Sequence, residues 1–344
     1  MTGVGAHSSI AKRVVRPVAR VVGVPIGVAF VLVLRLTGRK AGVALMYHSV
    51  DRRAGDPARE LVPPHEAGLF ERQLRHVVRH YEVVPADRLL DAVTSRRRGQ
   101  RFPVAITFDD DLASHATIAA PVLANLGAHA TFFLSGASLD RPFSFHFERL
   151  QRAWDSGVRN LPEVVTGATS AVPASLHALG RAMVEMSPEE RDPATERLLA
   201  AAGPDPEAAG MRREQVRDLV AAGMAVGFHT FRHDPLTGLS DAQLDEAMHR
   251  GRAELAELVG APIDVIGYPH GSADERVALA ARDAGFRFGY CTRRVPVTPT
   301  SNRWLLGRFG PSLRSVGALA LELAFTLVKR ESARSSPARE RAPS

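Results

Sequence analysis

Asp109 and Asp110 follow a short apolar run, residues 104–108. Two carboxylates at the end of a buried strand are unfavourable unless a cation or hydrogen bonds compensate their charge. One of them can hold a metal while the other, kept ionised by the same cation, takes a proton from water. The same residues also fit a surface turn in which Asp110 or Asp111 caps the following helix.

Two histidines four residues apart, His229 and His233, follow a second apolar run at 224–226 and precede Pro235. At the end of a strand this spacing can turn two imidazoles onto one point, and neutral imidazole is a common ligand for zinc-type ions. Together with one carboxylate they make an Asp-His-His set that leaves positions open for water. This is typical of a catalytic metal site, and we therefore predict a divalent-metal hydrolase.

Cys291 is the only cysteine in the sequence, which excludes an intramolecular disulfide and a cysteine-based zinc site. Any metal must therefore be held by histidine and carboxylate. Two imidazoles and one carboxylate favour Zn²⁺, although cobalt, nickel and iron also accept such ligands.

The elements that must position these residues show alternating strand and helix patterns. Helices are predicted at 70–80, at 242–259 with Ser240 and Gln243 as a capping box, and in a segment that begins with Ser272 and Glu275. No dinucleotide or phosphate-binding glycine motif follows a strand, so we favour an α/β barrel with its chemistry at the carboxyl ends of the strands. Buried strands are predicted at 43–47, 104–108, 130–134, 224–228, 265–268 and 286–290.

The predicted barrel domain covers residues 41–311 and is interrupted at 137–210 by a stretch of helical character. We interpret that stretch as an inserted helical cap. Its segment Phe143-Ser144-Phe145-His146-Phe147 fits either a lid over the substrate or a small local core. Residues 312–344 are predicted to form a C-terminal helix and a disordered basic tail.

The first 40 residues form a basic and apolar N-terminal segment. Its uncharged run at 21–34 is shorter than the roughly 20 residues that a membrane-spanning helix needs. The run fits an uncleaved anchor, an interfacial helix or an element packed on the domain. Basic residues crowd both chain ends, which favours an anionic membrane surface over nucleic acid as a partner. We expect peripheral membrane contact, and a membrane-associated or cytoplasmic location in a bacterial-type cell.

Several motifs occur in a fixed order between about residues 43 and 311. They are Leu45-Met46-Tyr47-His48-Ser49-Val50, Ala105-Ile106-Thr107-Phe108-Asp109-Asp110, Ala130-Thr131-Phe132-Phe133-Leu134, residues 223–240, and Tyr268-Pro269-His270-Gly271. In this order they resemble the polysaccharide deacetylases, the NodB-homology group of carbohydrate esterase family 4. The resemblance implies a distorted, TIM-like (β/α)7 barrel and a hydrolase that uses a divalent metal to remove the N-acetyl group from an amino sugar in a polysaccharide or glycan precursor.

The resemblance assigns roles by motif position. Asp109 corresponds to the general base that activates water, and Asp110, His229 and His233 correspond to the metal ligands. A backbone N–H near His270 would help to hold the oxyanion, and a general acid would protonate the departing amine.

Three positions depart from the family pattern. The glycine that usually follows the double Asp is Asp111. Gly267 occupies the position of the arginine that tethers the base, and Arg308 is either its substitute or an ordinary surface charge. No histidine follows His270, so the usual C-terminal acid is missing.

His48 closes the first predicted strand, and the Met46-Tyr47-His48 opening resembles a branch of the family with circularly permuted motifs. We therefore predict His48 as the general acid, with His270 as the competing candidate. Two other functions remain compatible with the same barrel: hydrolysis of an O-acetyl ester or another amide, and glycan binding without turnover.

Overall fold

The computed structural model describes residues 22–167 and 175–329. The basic cluster before residue 22, the first residue of the apolar run at 21–34 and the tail predicted to be disordered lie outside these described residues.

The centre of the fold is a closed barrel of seven parallel strands. The last strand of the chain pairs with the first, and the first also pairs with the strand that carries Asp109. This closure confirms the predicted (β/α)7 barrel. Around the ring the strands are β1 Val43–Tyr47, β5 Pro103–Asp109, β6 Thr131–Leu134, β7 Ala225–Phe228, β8 Val265–Gly267, β9 Phe288–Thr292 and β10 Leu306–Phe309.

Three short strands lie outside the ring. β2 Val50–Asp51 pairs with β3 His65–Glu66, and β4 Glu82–Val84 pairs with the start of β5. Helices surround the barrel, beginning with α1 in residues 22–35. The others are α2 Ala67–His80, α3 Leu89–Ser95, α4 Ala120–Asn125, α5 His146–Asp155, α6 Leu161–Thr166, α7 Leu176–Glu185, α8 Pro188–Ala202, α9 Arg213–Ala221, α10 Asp241–His249, α11 Arg252–Val259, α12 Glu275–Asp283 and α13 Val316–Val328.

Alternation along β5 decides which side chains enter the barrel. Val104, Ile106 and Phe108 join the large core between strands and helices, whereas Ala105 joins a separate, smaller cluster. Because neighbouring side chains of a strand point to opposite faces, Asp109 shares the inward face with Ala105. All seven strands of the ring are parallel, so their carboxyl ends meet at one rim.

The structure corrects two predicted element boundaries and adds one strand. The helix expected at 242–259 is two helices, because the chain turns at Arg250 and Gly251, where Gly251 has φ +80°. The helix expected to begin with Ser272 is capped instead by Asp274, whose side chain accepts from the Val277 N–H. β10 was not predicted, because its four residues include a glycine and an arginine and show no apolar run.

The stretch between β6 and α9 contains the four helices α5 to α8. Their apolar side chains form a hydrophobic cluster of their own, apart from the two clusters of the barrel. Its buried members are Leu150, Ala153, Leu161, Val165, Leu176, Leu179, Met183, Ala194 and Leu198.

The N-terminal helix α1 packs against α13 through small residues. A Cβ added to Gly23 would lie 2.6 Å from the Gly317 carbonyl oxygen, and one added to Gly27 would lie 2.9 Å from the backbone of Ala320. Close contact between the two helices therefore requires both glycines. Within residues 22–167 and 175–329, no helix has the length and apolar character needed to cross a membrane.

Candidate active site

Backbone strain is concentrated at the rim where the strands of the barrel end. Asp110 follows β5 with φ +73°, and Thr230 and His233 follow β7 with φ +56° and +55°. His270, after β8, has φ +56°. These are four of the five non-glycine residues with positive φ in the described chain. Such conformations cost free energy and persist where the surrounding structure holds them, commonly at functional sites.

The strained segments bring three side chains together as a candidate metal centre. Ligand atoms of Asp110, His229 and His233 all lie within 4.8 Å of one another, and the three residues are buried. Asp110 Oδ1 is 3.7 Å from His229 Nε2 and 3.2 Å from His233 Nε2, and it accepts no hydrogen bond. A buried carboxylate oxygen without a hydrogen bond, facing two imidazole nitrogens, fits a divalent cation.

The His229 ring is fixed in the form that a metal ligand needs. Its Nδ1 lies 2.7 Å from the Gly267 carbonyl oxygen, so this nitrogen carries the proton and donates it. Nε2 is then left with a free lone pair directed towards Asp110. Burial lowers the pKa of His229 to about 4, which keeps the ring neutral.

Asp109 is held by a buried arginine from β10, the strand on the other side of β1. Arg308 donates from both Nη atoms to its carboxylate, at 2.5 and 2.6 Å, and donates also to Thr107 Oγ1 at 3.1 Å. Burial by itself raises the pKa of Asp109, but Arg308, His229 and His48 together outweigh it and lower that pKa. Asp109 is therefore a carboxylate with a fixed orientation.

A cavity of about 640 Å³ opens onto these residues. Its walls include His48 at the end of β1 and His270 after β8, together with Asp109, Asp110 and His229. The structure thus brings together six of the seven residues singled out from the sequence, namely His48, Asp109, Asp110, His229, His233 and His270, along one cavity. The seventh, Arg308, lies beneath it and contacts Asp109.

Comparison with protein families gives a match between the polysaccharide deacetylase model and residues 96–289. These residues make up more than half of the chain. The chain belongs to the polysaccharide deacetylase family. Asp109, Asp110, His229, His233 and His270 lie inside the matched part, whereas His48 and Arg308 lie outside it.

Solved structures of several deacetylases share the fold. The deacetylase PplD of Streptococcus pyogenes, solved with acetate, aligns with a TM-score of 0.57 at 16% identity, over 83% of this chain and 99% of that one. IcaB from Ammonifex degensii gives 0.52 at 19% identity, over 82% and 97% of the two chains. The polysaccharide deacetylase BC0361 from Bacillus cereus gives 0.53 at 16% identity, over 83% and 69%. A comparison with curated proteins gives no match.

Among the departures from the family pattern, the displaced arginine has the clearest structural account. Arg308 is completely buried, which excludes the alternative of a surface charge. A Cβ at Gly267 would lie 2.8 Å from the Phe133 ring and 3.0 Å from Arg308 Nη2. Gly267, at the position where this family carries its tethering arginine, therefore leaves the space that the Arg308 guanidinium fills.

Asp111, which replaces the glycine that usually follows the double Asp, connects two loops of the rim. Its carboxylate accepts from the Ser135 N–H at 2.7 Å, from the Ser135 hydroxyl at 2.6 Å and from the Gly136 N–H at 3.4 Å. Asp110 and Asp111 are 1% and 4% exposed. The alternative of a surface turn with one of them capping the next helix is therefore wrong.

The two candidates for the general acid both line the cavity but have different neighbours. The His48 carbonyl oxygen is 3.2 Å from Nε2 of the fully buried His115. Burial lowers the pKa of His115 to about 4, so the ring is neutral and its N–H can donate to His48. His270 is exposed, and its ring centroid lies 4.5 Å from that of His233.

The helices inserted before α9 supply one wall of the site, a role that the sequence patterns left open. His146 and Phe147, at the start of α5, line the cavity. Their ring centroids lie 6.3 and 5.6 Å from that of His233. In the sequence, the aromatic segment at 143–147 was the only indication of this wall, and it fitted a lid and a local core equally well.

Proposed function

We propose that this chain is a metal-dependent deacetylase that hydrolyses the N-acetyl group of an amino sugar in a polysaccharide or glycan precursor. The observation that carries the proposal is the buried Asp109–Arg308 pair beside the ligand atoms of Asp110, His229 and His233. A binding site without turnover has no need for an ionised base held next to a metal centre.

Asp110, His229 and His233 would hold the divalent cation, and two imidazoles with one carboxylate favour Zn²⁺. A cation bound there supplies Lewis-acid polarisation of the acetamide carbonyl and lowers the pKa of water. The buried Asp110 has a pKa below its ordinary value, because the imidazoles of His233, His229 and His48 outweigh the effect of burial. Its carboxylate is therefore ionised, as a ligand must be.

Asp109 would take a proton from the water that attacks the acetamide carbon. Arg308 keeps this carboxylate ionised and oriented through two hydrogen bonds, which prevents it from rotating away from the cavity. A backbone N–H near His270 would stabilise the developing oxyanion. His48 would then donate a proton to the sugar nitrogen as the carbon–nitrogen bond breaks, giving acetate and a free amine.

The decisive experiment compares wild type with Asp109→Asn in metal content and in acetate release from N-acetylglucosamine oligomers. We expect the variant to retain its metal and to lose activity by about a thousandfold, since it lacks the general base. Retained activity would exclude Asp109 as the base. Acetate release from O-acetylated xylan alone would identify an esterase, and glycan affinity without any release would identify a non-catalytic member.

A further inference from the structure

Helix α1 is apolar on all sides but buries only one stripe. Gly23, Gly27 and Val31 are buried, at a spacing of four residues that places them on one face towards α13. On the opposite face Ile26 is 53% and Val33 64% exposed. A helix that is apolar all round is normally enclosed by other protein or by lipid. The outer face of α1 is therefore without a partner among the described residues.

The neighbouring helix α13 extends this surface through Phe325, which is 57% exposed. The Phe325 ring lies 6.2 Å from that of Phe30, measured between centroids. We call the combined surface the α1/α13 face. It contains six of the eight large hydrophobic side chains that are exposed in the described chain: Ile26, Phe30, Leu32, Val33, Leu36 and Phe325.

Positive charge is concentrated in the two segments that continue from this face. Residues 1–21 contain four basic and no acidic residues, and residues 330–344 contain four basic and two acidic ones. They account for six of the seven net positive charges of the chain, so the rest of the protein is nearly neutral. An apolar helix face flanked by cationic segments is the pattern of peripheral binding to anionic lipid.

We infer that the α1/α13 face docks on the surface of an anionic lipid bilayer, with α1 lying in the plane of the interface. The apolar side chains would enter the boundary between headgroups and acyl chains, and the basic segments would contact lipid headgroups. A second copy of the chain is a poorer partner for this face, because self-association would bring the same positive segments together.

The test is co-sedimentation of the full chain with vesicles of phosphatidylcholine alone and of phosphatidylcholine mixed with phosphatidylglycerol. We expect binding to the anionic vesicles that weakens at high salt, because screening reduces the attraction of the basic segments. In the triple variant Val33→Ser, Leu36→Ser, Phe325→Ser the partition coefficient should fall by at least about tenfold. Leu279→Ser, at an exposed leucine of α12, is the matched control and should bind like wild type.

A second variant tests the charge. Replacing Lys12, Arg13, Arg16 and Arg20 by Gln should lower binding to anionic vesicles by at least about tenfold. Because these four residues precede the described fold, this variant remains informative if the triple variant unfolds. Wild-type binding by either folded variant would overturn the proposal. So would a dimer, seen by sedimentation velocity, that the triple variant abolishes.

Discussion

Two groups of residues at the cavity are built in different ways. We call the proposed metal ligands the metal side, and the residues that serve Asp109 the tether side. On the metal side, Asp110 and the pair His229 and His233 come from two short motifs, each contiguous in the sequence. On the tether side, His48 and Arg308 are single residues at the ends of the first and last strands of the barrel. Arg308 reaches Asp109 only because β1 pairs with both β5 and β10. Local spacing therefore sets the proposed metal ligands, and closure of the barrel brings Arg308 to the proposed base.

This difference bears on how each side responds to substitution. The spacing of residues within one ligand motif is fixed by the sequence itself. The Arg308–Asp109 pair depends instead on the relative position of two distant segments. Both partners of that pair are buried, at 0% and 3% exposure, so neither charge can be satisfied by water if the other is removed. Substitutions on the tether side should therefore lower activity and stability together more strongly than substitutions on the metal side.

Arg308→Met should give the largest effect. We expect about 3–5 kcal/mol lower stability at neutral pH, because the Asp109 carboxylate would remain buried without its partner. Activity should fall by about a hundredfold to a thousandfold, because the base loses its orientation. Chemical unfolding and acetate release measure the two losses. Arg308→Lys keeps the charge but not the two-point contact, and should be intermediate.

The pH dependence of stability and activity in Arg308→Met shows whether the unpaired Asp109 charge causes both losses. In wild type the pKa of Asp109 lies below its unfolded value, so the pair stabilises the fold above that value, and this contribution is lost as the pH falls through the folded pKa. Without Arg308, burial should raise that pKa. The stability deficit should then be largest near neutral pH and shrink in acid, and the acid limb of activity should move to higher pH. A deficit independent of pH would attribute the effect to packing alone.

The same contrast explains what could be predicted from the sequence. The barrel, six of its strands and the three ligands followed from apolar runs and from motif spacing, which are local signals. The role of Arg308 stayed open between a substitute for the tethering arginine and a surface charge, because it depends on the space left by Gly267 on another strand. The contacts of Asp111 with Ser135 and of His146 with the metal side link segments whose relative position no sequence pattern specifies.

His48→Ala tests the second residue of the tether side and should give a smaller effect. We expect a loss of about a hundredfold in kcat with little change in metal content, since a general acid contributes on that order and His48 is not a ligand. The matched variant is His270→Ala, which removes the competing imidazole on the metal side. Full turnover in His48→Ala together with a large loss in His270→Ala would reverse the assignment.

Asp111→Asn should give the smallest effect, because it changes a link between loops and leaves both sides of the cavity chemically intact. Its two carboxylate oxygens accept hydrogen bonds from Ser135, whereas an asparagine amide has only one acceptor oxygen and can keep only some of these bonds. We expect a stability loss of about 1–3 kcal/mol and an activity loss of about tenfold, since Asp110 beside it must hold φ +73°. Thermal unfolding measures the stability loss, acetate release measures the activity loss, and zinc titration shows whether the activity loss comes from weaker metal binding. Ser135→Ala removes one donor from the same link, so it should show a weaker form of both losses. Unchanged zinc affinity and activity in a destabilised Asp111→Asn variant would show that Asp110 keeps its geometry without this link.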